Sequence, residues 1–145
     1  MARVEVSRLI AAPASRIWDD LSRLDSHVEW MADAAALTFL SEQRSGAGTR
    51  IAVVTRLGPF RVTDVMEFVA WEPPRRMAVR HTGLVTGSGE FVLDEETDDA
   101  TRFTWRERLR FPWYLGGPLG ALVGARILTV VWRGNLRRLA RRFTS

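Results

Sequence analysis

The stretch that decides the fold is Ala12-Pro13-Ala14-Ser15-Arg16-Ile17-Trp18-Asp19-Asp20-Leu21. Before it, residues 4–10 carry apolar side chains at even spacing, as expected of a half-buried strand. Pro13 stands where a helix can begin without losing a backbone hydrogen bond, and Ile17 and Leu21 then recur at helical spacing. The pattern therefore predicts a first strand that passes directly into an amphipathic helix.

The middle of the chain has the pattern of an antiparallel meander. Short connections rich in Gly, Pro or acidic residues separate its apolar segments, and such connections join neighbouring antiparallel strands. The predicted strands are residues 36–42, 50–57, 60–71, 77–84, 87–95 and 102–111.

The last 30 or so residues (about a fifth of the chain) have a helical pattern. Apolar residues recur there at alternating spacings of three and four, which predicts one long helix with a buried stripe. That stripe consists of Leu122, Ala125, Thr129, Trp132, Leu136, Leu139 and Phe143. Outside the stripe we expect a solvated face formed by Arg137, Arg138, Arg141 and Arg142.

Three motifs resemble one known family. The opening stretch resembles the Ala-Pro-x-x-x-Val/Ile-Trp-x-x-Leu pattern of the polyketide cyclase/dehydrase and lipid-transport branch of the START-like (SRPBCC) superfamily. Glu72-Pro73-Pro74-Arg75-Arg76 resembles that branch's turn, and Thr104-Trp105-Arg106-Glu107 resembles the strand before its last helix. The resemblance covers essentially the whole chain and implies a single ligand-binding domain over residues 1–145.

The resemblance also implies an α+β helix-grip fold. In that fold a curved antiparallel sheet of six to seven strands wraps around a long C-terminal helix, and two short helices follow the first strand. A hydrophobic ligand is then expected in a cavity between the sheet and the helix.

Strand periodicity indicates which side chains face that cavity. Val79 shares a face with His81, and Glu107 is the one acid in register with Trp105, whereas Asp64 could face either side. Burial disturbs the pKa of an interior His or Glu most strongly, so His81 and Glu107 are the candidate catalytic pair. The predicted ligand-binding residues are Trp30, Met77, Val79, His81, Phe91, Phe103, Trp105, Glu107, Trp113 and Thr129.

Both ionisable residues also have a purely structural interpretation. A buried Glu is often the internal partner of a nearby Arg or backbone donor, and a buried His is often a satisfied core residue. The functional interpretation is that they orient a polar group of a bound hydrophobic molecule or exchange a proton with it. The sequence leaves both interpretations open.

Composition excludes several other kinds of site. The chain has no Cys, which excludes disulfides and thiolate metal sites, and its two His residues form no paired metal motif. We expect His27 in an exposed turn, no metal and no other cofactor. No secretory signal precedes the first strand, so the expected location is the cytoplasm.

The C-terminal part of the chain is strongly basic. All 17 acidic residues lie at or before Glu107, whereas eight Arg and no acid follow it. An apolar segment with an Arg-rich flank raises the alternative of weak peripheral contact with anionic lipid. No recognition module or interleaved exposed aromatic residues accompany the Arg cluster, so we expect no nucleic-acid partner.

Three functions compete at this point. The first is the binding or carrying of a lipid, polyketide or isoprenoid-like ligand. The second is a polyketide cyclase or dehydratase-like enzyme that uses His81 and Glu107 as an acid–base pair. The third is a peripheral membrane or protein-partner module that acts through the C-terminal helix. The ligand and the oligomeric state are left open.

Overall fold

The computed structural model describes residues 1–144 and has the predicted order of elements. Its strands are β1 (Ala2–Ile10), β2 (Ala34–Phe39), β3 (Arg50–Leu57), β4 (Phe60–Glu72), β5 (Arg76–Thr82), β6 (Thr86–Thr97) and β7 (Ala100–Arg110). Its helical elements are α1 (Ala14–Leu21), a 3₁₀ helix (Leu24–Glu29), a second 3₁₀ helix (Trp113–Leu115) and α2 (Gly117–Arg141).

The seven strands form one antiparallel sheet in the order β1-β7-β6-β5-β4-β3-β2. Strands β2 to β7 pair in chain order, as their short connections predict, and β1 pairs with β7 over its whole length. The sheet curves around the long helix α2, so the predicted helix-grip fold is confirmed.

The opening stretch folds as its pattern predicts. Pro13 precedes the first turn of α1 with extended backbone angles. Ile17, Trp18 and Leu21 are all buried, and Trp18 packs edge-on against Trp71 of β4. The switch from strand to helix therefore places α1 over one end of the sheet.

The predicted buried stripe of α2 is correct only in its second half. Trp132, Leu136 and Leu139 are buried, but Leu122 is 54% exposed. Ala121 is buried in place of Leu122, and Leu128 is buried in place of Thr129. Residues 119–131 are apolar around nearly the whole helix, so spacing alone does not identify the inner face there. Side chains from Trp132 onward alternate with Arg and reveal the face clearly.

Two Arg residues that we expected to be solvated hold α2 in place. Arg142 donates to both carboxylate oxygens of Asp20 at 2.7 and 2.9 Å, and Arg138 donates to the carbonyl oxygen of Trp30 at 3.0 Å. Burial alone would raise the pKa of Asp20, but the hydrogen bonds and charge of Arg142 lower it. The Arg-rich end of α2 is thus partly an attachment to α1 and to the segment after it.

Among the helices of residues 1–144, none is both long enough and apolar enough to span a bilayer.

Candidate ligand cavity

A cavity of about 100 Å³ lies between the concave face of the sheet, residues 27–34 and α2. Its walls are mostly apolar and include Phe68, Met66 and Trp132. Six of the residues predicted to contact a ligand line it: Met77, Val79, His81, Phe91, Trp105 and Glu107. The strand alternation that assigned them to the inner face is therefore correct.

Two predicted residues lie behind the cavity wall. Trp30 and Phe103 are fully buried and pack against Phe91, with ring centroids 6.1 and 5.1 Å from it. Phe91 lines the cavity, whereas Trp30 and Phe103 do not. Both support the wall without lining the cavity, and their contact with a ligand stays a prediction.

Two further predicted residues lie away from the cavity. Trp113 is 84% exposed in the second 3₁₀ helix, and Thr129 returns its hydroxyl to the carbonyl oxygen of Ala125 at 2.7 Å. The one-residue displacement of the inner face of α2 explains Thr129, because Leu128 takes the buried position. Neither residue lines the cavity.

The polar part of the cavity is a cluster of Asp64, His81 and Glu107. Met66 of β4 pairs with His81 of β5, and Asp64 lies two residues from Met66 on the same face. The open question about Asp64 is therefore answered: it faces inward. Glu107 comes from β7, on the far side of β6.

Glycines in β6 allow His81 and Glu107 to meet across an intervening strand. Gly87 pairs with His81, and Gly89 pairs with both Val79 and Glu107. A Cβ atom at Gly89 would lie 2.3 Å from Oε1 of Glu107, far inside any normal contact. The missing side chain is what gives the carboxylate its position.

His81 bridges the two carboxylates. Its Nδ1 donates to Oδ2 of Asp64 at 2.9 Å, and its Nε2 donates to Oε1 of Glu107 at 2.7 Å. His81 is only 4% exposed, and both of its N–H groups have protein acceptors. With both carboxyl groups ionised, the ring that makes these two contacts is the doubly protonated, positively charged one.

The surroundings shift the pKa values of the cluster. Burial by itself would lower the pKa of His81, but the hydrogen bonds and charges of Asp64 and Glu107 raise it to about 10. Burial raises the pKa of Glu107, and the contact with His81 opposes that rise. His81 therefore stays protonated at neutral pH.

His27 and Asp33 also line the cavity, and the sequence analysis missed both. His27 was expected to be exposed, but it is buried and its Nε2 donates to the carbonyl oxygen of Leu21 at 2.8 Å. Burial lowers its pKa, so the ring is neutral. The spacing of Leu24, His27 and Trp30, one every third residue, was a signal for this buried face.

Asp33 belongs to a second buried polar cluster, which ties α2 to the segment before β2. Its carboxylate accepts from Trp132 Nε1 at 3.1 Å and from Asn135 Nδ2 at 2.8 Å. The side-chain oxygen of Asn135 accepts from the backbone N–H of Ala32 at 3.0 Å and from Arg138. Every side-chain oxygen of this cluster has a partner.

Within residues 1–144, no group of three or more His, Asp or Glu side chains has an arrangement that could hold a metal ion.

A curved sheet, a long gripping helix and an interior cavity with apolar walls and a few polar groups define a START-like domain. The family model described as polyketide cyclase/dehydrase and lipid transport matches residues 1–144. The chain belongs to this family. Among curated proteins, none matches the chain closely enough to indicate a relative.

Solved structures share the fold at low sequence identity. A protein from Thermus thermophilus has a TM-score of 0.84 at 19% identity, with 97% of this chain and 96% of that chain covered. The Zhui aromatase/cyclase from a Streptomyces species has a TM-score of 0.78 at 17% identity, with 97% and 92% covered. A START superfamily protein from Mycobacterium smegmatis has a TM-score of 0.75 at 11% identity, with 99% and 97% covered.

Proposed function

We propose that this protein binds and carries a small hydrophobic or amphipathic molecule, such as a lipid, polyketide or isoprenoid-like compound, between its sheet and α2. The observation that carries the proposal is a cavity whose walls are apolar and aromatic but which contains the Asp64–His81–Glu107 cluster. Pockets with apolar walls and a few placed polar groups are the usual sites for small molecules.

Native mass spectrometry of the protein purified from its own host tests this proposal. We expect a retained small molecule in the wild type and its loss in Val79→Phe, because the larger ring fills space at the cavity wall. A melting curve checks that the variant is folded. A wild-type protein free of ligand that also takes up no hydrophobic probe would contradict the proposal.

A second candidate function is catalysis of an aldol-type cyclisation or a dehydration. The Asp64–His81–Glu107 cluster favours it, because a charged imidazole beside a buried carboxylate can exchange protons with a bound molecule. Since both ring nitrogens of His81 carry protons, Glu107 would act as the base and His81 as the acid. The Streptomyces aromatase/cyclase shares the fold, which adds support at the level of analogy.

The variants His81→Gln and Glu107→Gln separate carrier from enzyme. An acid–base enzyme would lose about 10²–10⁴-fold in rate in either variant while still binding its substrate. A carrier would show altered affinity and no turnover to lose. We expect the carrier result with polyketide-like substrates, and pH-dependent turnover that disappears in both variants would establish the enzyme.

A third candidate function is contact with an anionic membrane surface. Arg138 and Arg142 have protein partners, so the surface that favours contact lies at the other end of α2. Large apolar side chains are exposed there beside Arg126 and Arg133: Trp113, Tyr114, Leu115, Leu119, Leu122, Val123, Ile127 and Val130. Apolar and aromatic groups flanked by Arg suit the interface of an anionic bilayer.

Co-sedimentation with vesicles of phosphatidylcholine alone or with phosphatidylserine tests this contact. We expect binding only to the anionic vesicles and its loss in Leu119→Glu, with Glu5→Gln as a control on the outer face of the sheet. Failure to sediment with either vesicle, together with self-association in solution, would assign the surface to a second copy of the chain instead.

A further inference from the structure

We infer that the polar group of the bound molecule is a hydrogen-bond donor, a hydroxyl or an amine, and that the cavity rejects carboxylates. This inference rests on the proposed function, because it names the chemistry of the ligand in the same cavity. It sets fatty acids apart from phenols, alcohols and amines of similar size.

The residues that line the cavity carry more negative than positive charge. In the described chain, no Arg or Lys lines the cavity, whereas the carboxylates of Asp33, Asp64 and Glu107 do. A fourth acid, Glu90, also borders it, but its carboxylate is paired with Arg76 and Arg106. Against these acids stands one charged ring, that of His81, and the other lining histidine, His27, is neutral.

The hydrogen-bond donors of His81 are already in use. Both of its N–H groups donate to Asp64 and Glu107, so the imidazole has no donor left for an incoming anion. A ligand carboxylate would lose its hydration and meet like charge without a compensating partner. Burial of such an unpaired charge is strongly unfavourable.

One carboxylate oxygen of Glu107 has no protein donor in the described part of the chain. Glu107 is 8% exposed, and its Oε1 accepts from His81. No donor within residues 1–144 reaches its second oxygen, Oε2, although Glu107 borders the cavity. Oε2 is open to the cavity, so a hydroxyl or amine in the cavity can donate to it. Gly89 and His81 together hold the carboxylate in place for that contact.

The experiment compares three probes that share one apolar body. Calorimetric titrations at pH 7 use 2-naphthol, 2-naphthylmethylamine and 2-naphthoate. We expect the hydroxyl and amine probes to bind at least about tenfold more tightly than the carboxylate, a difference that one hydrogen bond to a charged group can supply.

Variants assign that preference to the cavity acids. Glu107→Gln should reduce the preference severalfold by removing charge while keeping shape, and Glu5→Gln, on the outer face of the sheet, should leave it unchanged. If Glu107→Gln does not fold, Asp64→Asn tests the same charge from the partly exposed side of the cluster.

The outcomes separate this inference from the proposed function. Binding of 2-naphthoate as tightly as 2-naphthol would overturn the inference and leave ligand binding intact. An unchanged preference in a folded Glu107→Gln or Asp64→Asn variant would overturn it too. Binding of none of the three probes would overturn the proposed function together with the inference.

Discussion

Two buried polar clusters lie within the same core, and they differ in how completely they are satisfied. In the Asp33 cluster, carboxylate and amide oxygens all have partners from α2 or the segment before β2. In the Asp64–His81–Glu107 cluster, one carboxylate oxygen of Glu107 has no donor among the described residues and is open to the cavity. The first arrangement is typical of structural support, and the second is typical of a binding site.

Within this core, one polar cluster supports the fold and the other is available to a bound molecule. In the Asp33 cluster every side-chain oxygen has a protein donor, which secures α2 to the segment before β2. An acceptor that faces a cavity without a protein partner remains available to a bound molecule. Substitutions in the two clusters should therefore have opposite profiles, with large losses of stability in one and changed binding in the other.

The largest effect is expected for Asp33→Ala. It removes the acceptor of Trp132 and Asn135 and leaves two buried donors unpaired, each worth about 1–3 kcal/mol. The free energy of unfolding, measured by urea denaturation, should fall by about 3–5 kcal/mol. A loss below about 1 kcal/mol would remove the distinction between the clusters.

The next effect concerns pH and the other cluster. The pKa of His81 is raised from 6.5 to about 10, so the folded protein binds more protons than the unfolded chain between those values. Stability from this contact is complete below about pH 6.5 and is lost by about pH 10, a fall of a few kcal/mol. His81→Gln should flatten that pH dependence, and an equal slope in the variant would contradict the bridged geometry.

A smaller effect distinguishes two neighbouring Arg residues of α2. Arg138→Ala removes the hydrogen bonds to Trp30 and Asn135, whereas Arg137 is exposed. We expect thermal denaturation to show a loss of about 1–2 kcal/mol for Arg138→Ala and less than about 0.5 for Arg137→Ala. Equal effects would mean that the Asp33 cluster does not extend to Arg138.

Within the two clusters, the smallest effect on stability is expected for Glu107→Gln. The amide oxygen can still accept from His81, and the lost attraction is offset because a buried carboxylate no longer needs to be charged. At pH 7 the free energy of unfolding should change by about 1 kcal/mol or less. A loss as large as that of Asp33→Ala would assign this cluster to structure.

The sequence was sufficient for the fold and for part of the site. Period-two alternation placed Val79, His81 and Glu107 on the inner face correctly, because register and burial fix which face of a strand is covered. The Pro-led change of period after β1 predicted α1 for the same kind of reason. These signals come from residues that are close together in the chain, so a single sequence is enough to show them.

The rest depends on contacts between distant segments. The hydrogen bonds of Asp33 to α2 join residues about 100 positions apart in the chain, with separations of 99 and 102. The meeting of His81 with Glu107 needs two glycines on a third strand, and neither pattern shows in periodicity. The first half of α2 is apolar on nearly every side, so the sequence does not show which face is buried. Leu122 and Thr129 were therefore predicted to be buried when they are not.

The central claim is that a small molecule binds beside the Asp64–His81–Glu107 cluster. The most direct test follows the imidazole signals of His81 and the indole N–H signal of Trp113 by nuclear magnetic resonance during titration with 2-naphthol. Trp113 lies on the exposed apolar surface near α2, so it reports on nonspecific adsorption. We predict saturable shifts of the His81 signals and an unchanged Trp113 signal; shifts confined to Trp113 would contradict the account.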